Sequence, residues 1–203
     1  TIPQSAASKE SLAAIPLFIL MAQFILHSGA LNDLFASARV IVGRIRGGTA
    51  VAAVSAGAVF ASVSGSSMAA AATLAHTSTG KLVEEGYSPR FSSGVVAAAG
   101  TLAAMIPPSI LLVFYAITAE TGVGPTLMAG LIPGLLVVLA LIITVVIVVR
   151  VEHTNPTNVD DGPRMSIPQA LWGITPIALI FAVVVGFVFF GITTATEAAA
   201  MGV

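Results

Sequence analysis

The sequence has no cysteine and very little charge. The absence of Cys among its 203 residues excludes disulfide bonds and thiolate metal ligands. Only 8% of the residues are Asp, Glu, Lys or Arg, whereas an average soluble domain has about 25%. The formal net charge is −1, so the basic surface that a nucleic-acid partner requires is not expected. These scarcities argue against an ordinary soluble protein.

Apolar residues are what the chain has in excess. They make up 57% of the sequence, and the mean hydropathy is +1.02. Several apolar runs exceed the roughly 18 residues that indicate a membrane-spanning helix. We therefore predict an all-α integral membrane protein in a lipid bilayer. Thr1 is not an initiator residue and no cleavable signal peptide is recognisable, so we interpret the chain as an internal piece of a longer multi-pass protein.

Polar interruptions divide the chain into successive segments. Leu, Ile, Val and Phe dominate the predicted spans, whereas Ala and Gly dominate the segment that we interpret as interior, because small residues let helices approach closely. The predicted segments are a first spanning helix (12–33) and an amphipathic interfacial helix (34–46) within 1–48, a transport core (49–121), a spanning helix (122–150), a cytoplasmic loop (151–166) and a region with a further span (167–203).

A polar cluster, Ser64–Gly65–Ser66–Ser67, lies in the middle of the apolar segment 49–79. If this segment crossed the membrane once, Lys81 and Arg90 would lie opposite the basic cluster at 39–46. If the segment instead breaks at the cluster and leaves on the side it entered, all seven basic residues beyond the first span share one side. The positive-inside rule favours the second arrangement.

Length supports the same interpretation. A continuous helix over the 31 residues of 49–79 would measure about 46 Å, too long for a hydrocarbon core of about 30 Å. Two shorter helices would fit. We therefore predict a re-entrant helical hairpin with its tip at Ser64–Ser67.

Such a tip exposes helix-terminal amides and carbonyls that lack intrahelical partners. Within a membrane these groups are tolerated only inside protein or along an aqueous cavity. Carbonyls with the hydroxyls of Ser64, Ser66 and Ser67 suit a hard cation such as Na⁺, and the amides suit a carboxylate. Pro107 and Pro108, followed by Ser109, predict a second broken helix, and two such breaks at similar depth are typical of transporters.

The polar residues have other interpretations as well. Ser and Gly can serve only to pack membrane helices. His76 could relay protons or be structural, and Glu120 and Glu197 could cap helices or take part in gating. Ser66 with His76 has the residue types of an intramembrane serine protease, but both lie on one leg of the hairpin. No metal-ligand cluster or credible nucleophile–base pair is present, so an enzyme is not expected.

The chain resembles the large membrane subunit of tripartite ATP-independent periplasmic (TRAP) transporters, the DctM-like permeases. The resemblance covers nearly the whole chain in five ordered blocks: IPLFILMAQFILHSGALNDLFASARVIVGRIRGG, ASVSGSSMAAAATLA, EEGYSPRFSSGVVAAAGTL, IPPSILLVFYAITAETGVGPTLMAGLIPGLL and GITTATEAAA. Two departures stand out: Ala70 occupies a position where many members have Asp, and VAAAGTL replaces a hydroxyl-rich run.

The resemblance implies one half of an inverted-repeat transporter, with residues 167–203 reaching the start of the second half. It implies sodium-coupled uptake of small organic acids across a bacterial or archaeal inner membrane. Na⁺ is then the coupling ion and no other cofactor is expected. The implied partners are a periplasmic solute-binding protein and a small four-helix membrane subunit.

The family's functional positions match two regions of this chain. The first hairpin tip matches Ser64–Ser67, and the helix break beside a sodium site matches Pro107, Pro108 and Ser109 with the preceding Gly100 and Thr101. Sodium ligands would come from the regions of Ser64, Gly65, Ser66, Gly100 and Thr101. A stand-alone ion-coupled carrier, a channel and a structural membrane subunit remain as alternatives.

Overall fold

The computed structural model describes residues 10–42, 47–151 and 166–203. All regular elements in these ranges are helical, as predicted. The α-helices are α1 (Glu10–His27), α2 (Ala30–Val42), α3 (Gly48–Ser64), α4 (Ser67–Leu74), α5 (Gly80–Glu84), α6 (Pro89–Thr101), α7 (Ile110–Thr118), α8 (Val123–Val151), α9 (Ile167–Phe189) and α10 (Ala195–Met201). A π-helical turn (Ala75–Thr79) joins α4 to α5, and a 3₁₀ turn (Leu102–Ala104) extends α6.

The first span is shorter than predicted. The sequence suggested one helix over 12–33, but α1 ends at His27 and α2 begins at Ala30. Gly29 has a φ of 77°, a left-handed conformation that glycine adopts without steric cost and that ends a helix. The predicted boundary at residue 33 is therefore wrong.

α2 was predicted as an amphipathic interfacial helix, and its position at the membrane surface stays a prediction. It packs against both α3 and α9, and Leu34, Phe35 and Ser37 are almost fully buried. The remainder of that predicted helix (43–46) and most of the predicted loop 151–166 lie outside the described residues.

Two helices carry the strongest membrane signal. By length and composition alone, Val123–Val151 and Pro168–Phe189 could each cross a bilayer. Large apolar side chains on both helices are exposed, as expected for surfaces that face lipid. Helix α8 therefore corresponds to the span predicted over 122–150, and α9 to the span within 167–203.

α3 is the buried centre of the fold. Fourteen of its seventeen residues are buried, and most of them are small, so neighbouring backbones can approach closely. A methyl group added at Gly57 would lie 2.9 Å from Ala99 Cβ and 3.1 Å from Leu74 Cδ1. Because Leu74 is at the end of α4 and Gly57 is midway along α3, the two helices run back along each other as a hairpin, with α6 packed against both.

The two ends of this hairpin lie together. Arg39 near the end of α2 forms an ion pair with Glu85, just after α5. A methyl group on Gly47, just before α3, would lie 3.3 Å from Val149 near the end of α8. The chain therefore enters and leaves the hairpin at one end of the bundle, which also carries Arg39 and Arg150.

Candidate functional site at the hairpin tip

The hairpin tip consists of a glycine turn and a capping serine. Gly65 has a φ of 59° and donates its amide to the Ala61 carbonyl oxygen at 3.2 Å, which ends α3. Ser66 is extended, with φ −116° and ψ 112°. Its Oγ accepts the Ala69 amide at 3.4 Å, so Ser66 is the N-cap of α4.

The break after α6 ends in a second capping serine. Ser109 is fully buried, and its Oγ accepts the Leu112 amide at 3.4 Å while donating to the Ala104 carbonyl oxygen at 2.8 Å. The first bond caps α7 and the second ties that cap to the preceding 3₁₀ turn. The predicted proline break is therefore present, and Ser109 holds its two sides together.

The tip and the break contact each other through their backbones. The Ile110 amide donates to the Gly65 carbonyl oxygen at 3.2 Å. A methyl group added at Gly65 would lie 2.6 Å from the Pro108 carbonyl oxygen and 3.3 Å from Ile110 Cγ1. Any larger residue at 65 would therefore collide with the break and also face an unfavourable positive φ.

Ser64 has a buried hydroxyl without a partner among the described residues. Its side-chain oxygen is inaccessible and makes no hydrogen bond there, and the residue is only 1% exposed. Such a group costs free energy unless something satisfies it. The Oγ of Ser62, two residues earlier, instead donates to the Val59 carbonyl oxygen at 2.5 Å.

Helix ends of both polarities meet at this contact. α3 ends at the tip and directs carbonyl oxygens there, while α4 and α7 begin there with capped amides. Aligned peptide dipoles make helix N-termini partly positive and C-termini partly negative. The site therefore offers oxygen ligands to a small cation and amides to an anion, without any charged side chain among the tip residues Ser64–Ser67.

Of the other predicted residues, Gly100 and Thr101 lie on α6 and Ser67 lies at the tip. A methyl group on Gly100 would lie 2.6 Å from Ala71 Cβ, so Gly100 permits close contact between α6 and α4. The Thr101 hydroxyl donates to the Ala98 carbonyl oxygen at 2.7 Å, and the residue is exposed. Ser67 begins α4. The structure thus places Gly65 beside Pro108, while the Thr101 hydroxyl bonds within its own helix.

Sequence reasoning missed the contributions of Ile110, Ala71 and Met68. Ile110 supplies its backbone amide, which no side-chain motif reveals, although Ser109 as an N-cap signals where that amide lies. Ala71 supplies the surface that excludes a side chain at position 100. Met68, in the first turn of α4, is 84% exposed and lies beside the tip serines in sequence.

The carbonyl and hydroxyl oxygens at the tip suit a monovalent cation better than a tightly held transition metal. The described residues contain no group of three or more His, Cys, Asp or Glu that could hold a metal ion. Neutral carbonyl and hydroxyl oxygens, by contrast, are suitable ligands for Na⁺, as they are at broken helices of secondary transporters. The orphaned Ser64 hydroxyl is the side-chain group that fits this role.

Apolar helices of spanning length and two broken elements that meet at their backbones are consistent with a membrane transporter. The chain matches the family model described as "Tripartite ATP-independent periplasmic transporter, DctM component" over residues 3–203. It therefore belongs to that family, which confirms the resemblance. Membership in a transporter family also confirms that the chain is not an enzyme.

Curated relatives agree with this assignment. The chain is 40% identical to the C4-dicarboxylate TRAP transporter large permease protein DctM of Pseudomonas aeruginosa over 198 residues, which cover 94% of this chain and 44% of the relative. It is 36% identical to the protein of the same name from Vibrio cholerae, covering 99% and 44% of the two chains.

A third relative has a different named solute. The ectoine TRAP transporter large permease protein TeaC of Halomonas elongata is 33% identical, and the match covers 94% of this chain and 44% of the relative. The chain thus spans less than half the length of the curated relatives that it matches.

Proposed function

We propose that the chain forms the first transport half of a sodium-coupled permease that imports small organic acids. The observation that carries the proposal is the contact between the hairpin tip and the proline break, where the Ile110 amide meets the Gly65 carbonyl oxygen at 3.2 Å beside the unpartnered Ser64 hydroxyl. Na⁺ would bind the oxygen-rich end of α3, with Ser64 as its side-chain ligand.

In this proposal the α3–α4 hairpin is re-entrant. Its two ends lie together through the Arg39–Glu85 pair, at the same end of the bundle as Arg150. Positive residues mark the cytoplasmic side, so the tip would reach into the bilayer from the cytoplasm of a bacterial or archaeal cell. A second, inverted repeat outside this chain would complete the site.

The organic acid would bind through the amides that begin α4 and α7. The positive ends of these helix dipoles favour a carboxylate. C4-dicarboxylate is named for two of the relatives and ectoine for another. Carboxylate-bearing solutes are therefore the class proposed, and the particular solute is left to the uptake assay.

The proposed partners are an extracytoplasmic solute-binding protein and a small four-helix membrane subunit. Support comes from the family description, which names a tripartite periplasmic transporter. The binding protein would deliver the solute from the periplasmic side, opposite the end that carries Arg39 and Arg150. A stand-alone sodium-coupled carrier is the second candidate, because the tip geometry itself requires no binding protein.

The test is uptake of labelled organic acids by proteoliposomes that contain the complete permease. A sodium gradient would be imposed with and without a solute-binding protein from the same organism. We expect uptake only when both are present. Sodium-driven uptake without the binding protein would establish the stand-alone carrier, and conductance that does not depend on a sodium gradient would contradict coupled transport.

A further inference from the structure

The base of the hairpin, opposite its tip, contains a polar cluster that the proposed transport site does not use. Arg39 of α2 pairs with Glu85, and the two side chains are only 11% and 6% exposed. Lys81 Nζ lies 4.9 Å from the ring centroid of Phe35, within the range of a cation–π contact. Both interactions join α2 to α5 and the residue that follows it, at the end of the segment that leaves the hairpin.

The loop that carries Glu85 is itself well anchored. Tyr87 is 3% exposed and stacks on Phe91 of α6 with ring centroids 5.5 Å apart. Burial, with a smaller contribution from the charge of Glu85, raises the pKa of Tyr87 to about 12. Glu85, which pairs with Arg39, therefore lies in a loop that is packed against α6.

The hairpin and α6 are fitted together as one body. Gly57 allows contact with Ala99 and Leu74, and Gly100 allows contact with Ala71, each at distances that leave no room for a side chain. Contacts this close cannot slide past one another without steric clash or loss of packing. A movement of the tip must therefore carry the base of the hairpin with it.

α2 packs against α3 of the hairpin, and it is also fitted closely to α9. Ser37 is fully buried, as is Ala170 of α9. A methyl group added at Gly173 of α9 would lie 2.5 Å from Ser37 Oγ. Separating α2 from α9 would open a cavity between buried surfaces, which is unfavourable.

A glycine joint lies between these two bodies. Gly47 has a φ of 81°, is followed by Gly48, and leads directly into α3. Backbone rotation at such positions is less restricted than at any other residue type, and hinges are formed by a few residues at the ends of elements. Among the described residues, the contacts with charged groups across this joint are Arg39–Glu85 and Lys81–Phe35.

We propose that the Arg39–Glu85 ion pair is a latch that closes across the Gly47 joint, holds the hairpin base against α2 in the conformation described, and opens during the transport cycle. The proposal rests on the proposed function, since it assumes that the hairpin moves to transport its solute. An ion pair can exchange its partner for water when it opens, whereas the Ser37–Gly173 contact has no such substitute. Arg39 and Glu85 would thus be positioning residues, remote from the solute.

The direct test cross-links the latch in the complete permease. The double variant Arg39→Cys with Glu85→Cys is treated with a reducible bifunctional thiol reagent, and uptake is compared before treatment, after treatment and after reduction. We expect cross-linking to lower the uptake rate by about tenfold or more and reduction to restore it, because a closed latch arrests the hinge. Cross-linked protein that transports at the uncross-linked rate would overturn the latch.

A matched control locks the other face of α2. Ser37→Cys with Gly173→Cys places the two Cβ atoms 3.8 Å apart, which is the usual separation in a disulfide. This disulfide should leave uptake within about twofold of the reduced protein, because α2 and α9 remain together. The opposite pattern would contradict the latch: uptake stops with the Ser37–Gly173 disulfide and continues when positions 39 and 85 are cross-linked. The hinge would then lie between α2 and α9.

A second readout separates failure of the latch from failure of the proposed function. Spin labels at the exposed positions Ile41 and Glu84 report the distance between α2 and α5 without any transport assay. Glu85→Gln should add a longer-distance population, which Arg39→Gln should reproduce and Arg90→Gln on α6 should not. A distance distribution that stays unchanged in Glu85→Gln would contradict the latch, whether or not the permease transports organic acids.

Discussion

Hydroxyl groups around the tip have different roles. Ser66 and Ser109 cap α4 and α7, and Ser62 donates to the carbonyl oxygen of the preceding turn. These three hydroxyls are satisfied by the protein and are explained by helix structure. Ser64 differs because its buried oxygen has no partner in the part of the chain that the structure describes. At the scale of single residues, Ser64 is therefore a buried side chain that a ligand could satisfy.

The Ser64→Ala variant tests this assignment, with Ser62→Ala as its control. Loss of one ligand should raise the sodium concentration for half-maximal uptake by about tenfold, the equivalent of roughly 1.4 kcal/mol. The same variant should not lower thermal stability, because it removes an unsatisfied buried hydroxyl. Ser62→Ala should do the reverse, destabilising by about 1 kcal/mol with unchanged sodium dependence. An unaltered sodium response in Ser64→Ala would remove it from the ion site.

At the scale of elements, the hairpin was predictable and its joints were not. Basic residues and segment length together indicated a break at Ser64–Ser67, and the chain turns there at Gly65. The proline pair likewise indicated the break before α7. Ser28–Gly29 was overlooked because the apolar pattern continues on both sides of it, and only the positive φ of Gly29 reveals the turn.

Single cysteines can test whether the hairpin re-enters, since the chain has no native Cys. Ile41→Cys, before the hairpin, and Glu84→Cys, after it, should react with a membrane-impermeant thiol reagent from the same face of the membrane. Thr118→Cys at the end of α7 should react from the opposite face, because one crossing separates it from α5. All three positions are exposed. Reaction of Ile41→Cys and Glu84→Cys from opposite faces would contradict a re-entrant hairpin.

At the scale of the whole molecule, packing between distant segments was the part that the sequence did not disclose. Amphipathicity indicated which face of α2 is apolar. The close approach of Ser37 and Gly173 depends on two small residues more than 130 positions apart. No local period reveals such a pair. No local pattern reveals the contact between the tip and the break either, because the backbones of Gly65 and Ile110 supply the hydrogen bond.

The proposed transport site depends on that long-range contact more than on any one side chain. Gly65 leaves no space for a methyl group beside Pro108, whereas nothing lies within 4 Å of a methyl group added at Gly94 on α6. Alanine at 65 would also occupy a left-handed conformation that costs about 1–2 kcal/mol. A small change at the tip should therefore disturb the site, while the same change at Gly94 should not.

The most direct measurement is sodium-driven uptake of organic acid by proteoliposomes that contain the complete permease with Gly65→Ala, compared with Gly94→Ala. Both variants would be matched for amount and for insertion in the membrane. The contact at Gly65 predicts uptake at least about tenfold below wild type for Gly65→Ala, because displacement of the tip by even 1 Å is costly, and uptake near wild type for Gly94→Ala. Wild-type uptake by Gly65→Ala would contradict a transport site at the meeting of tip and break.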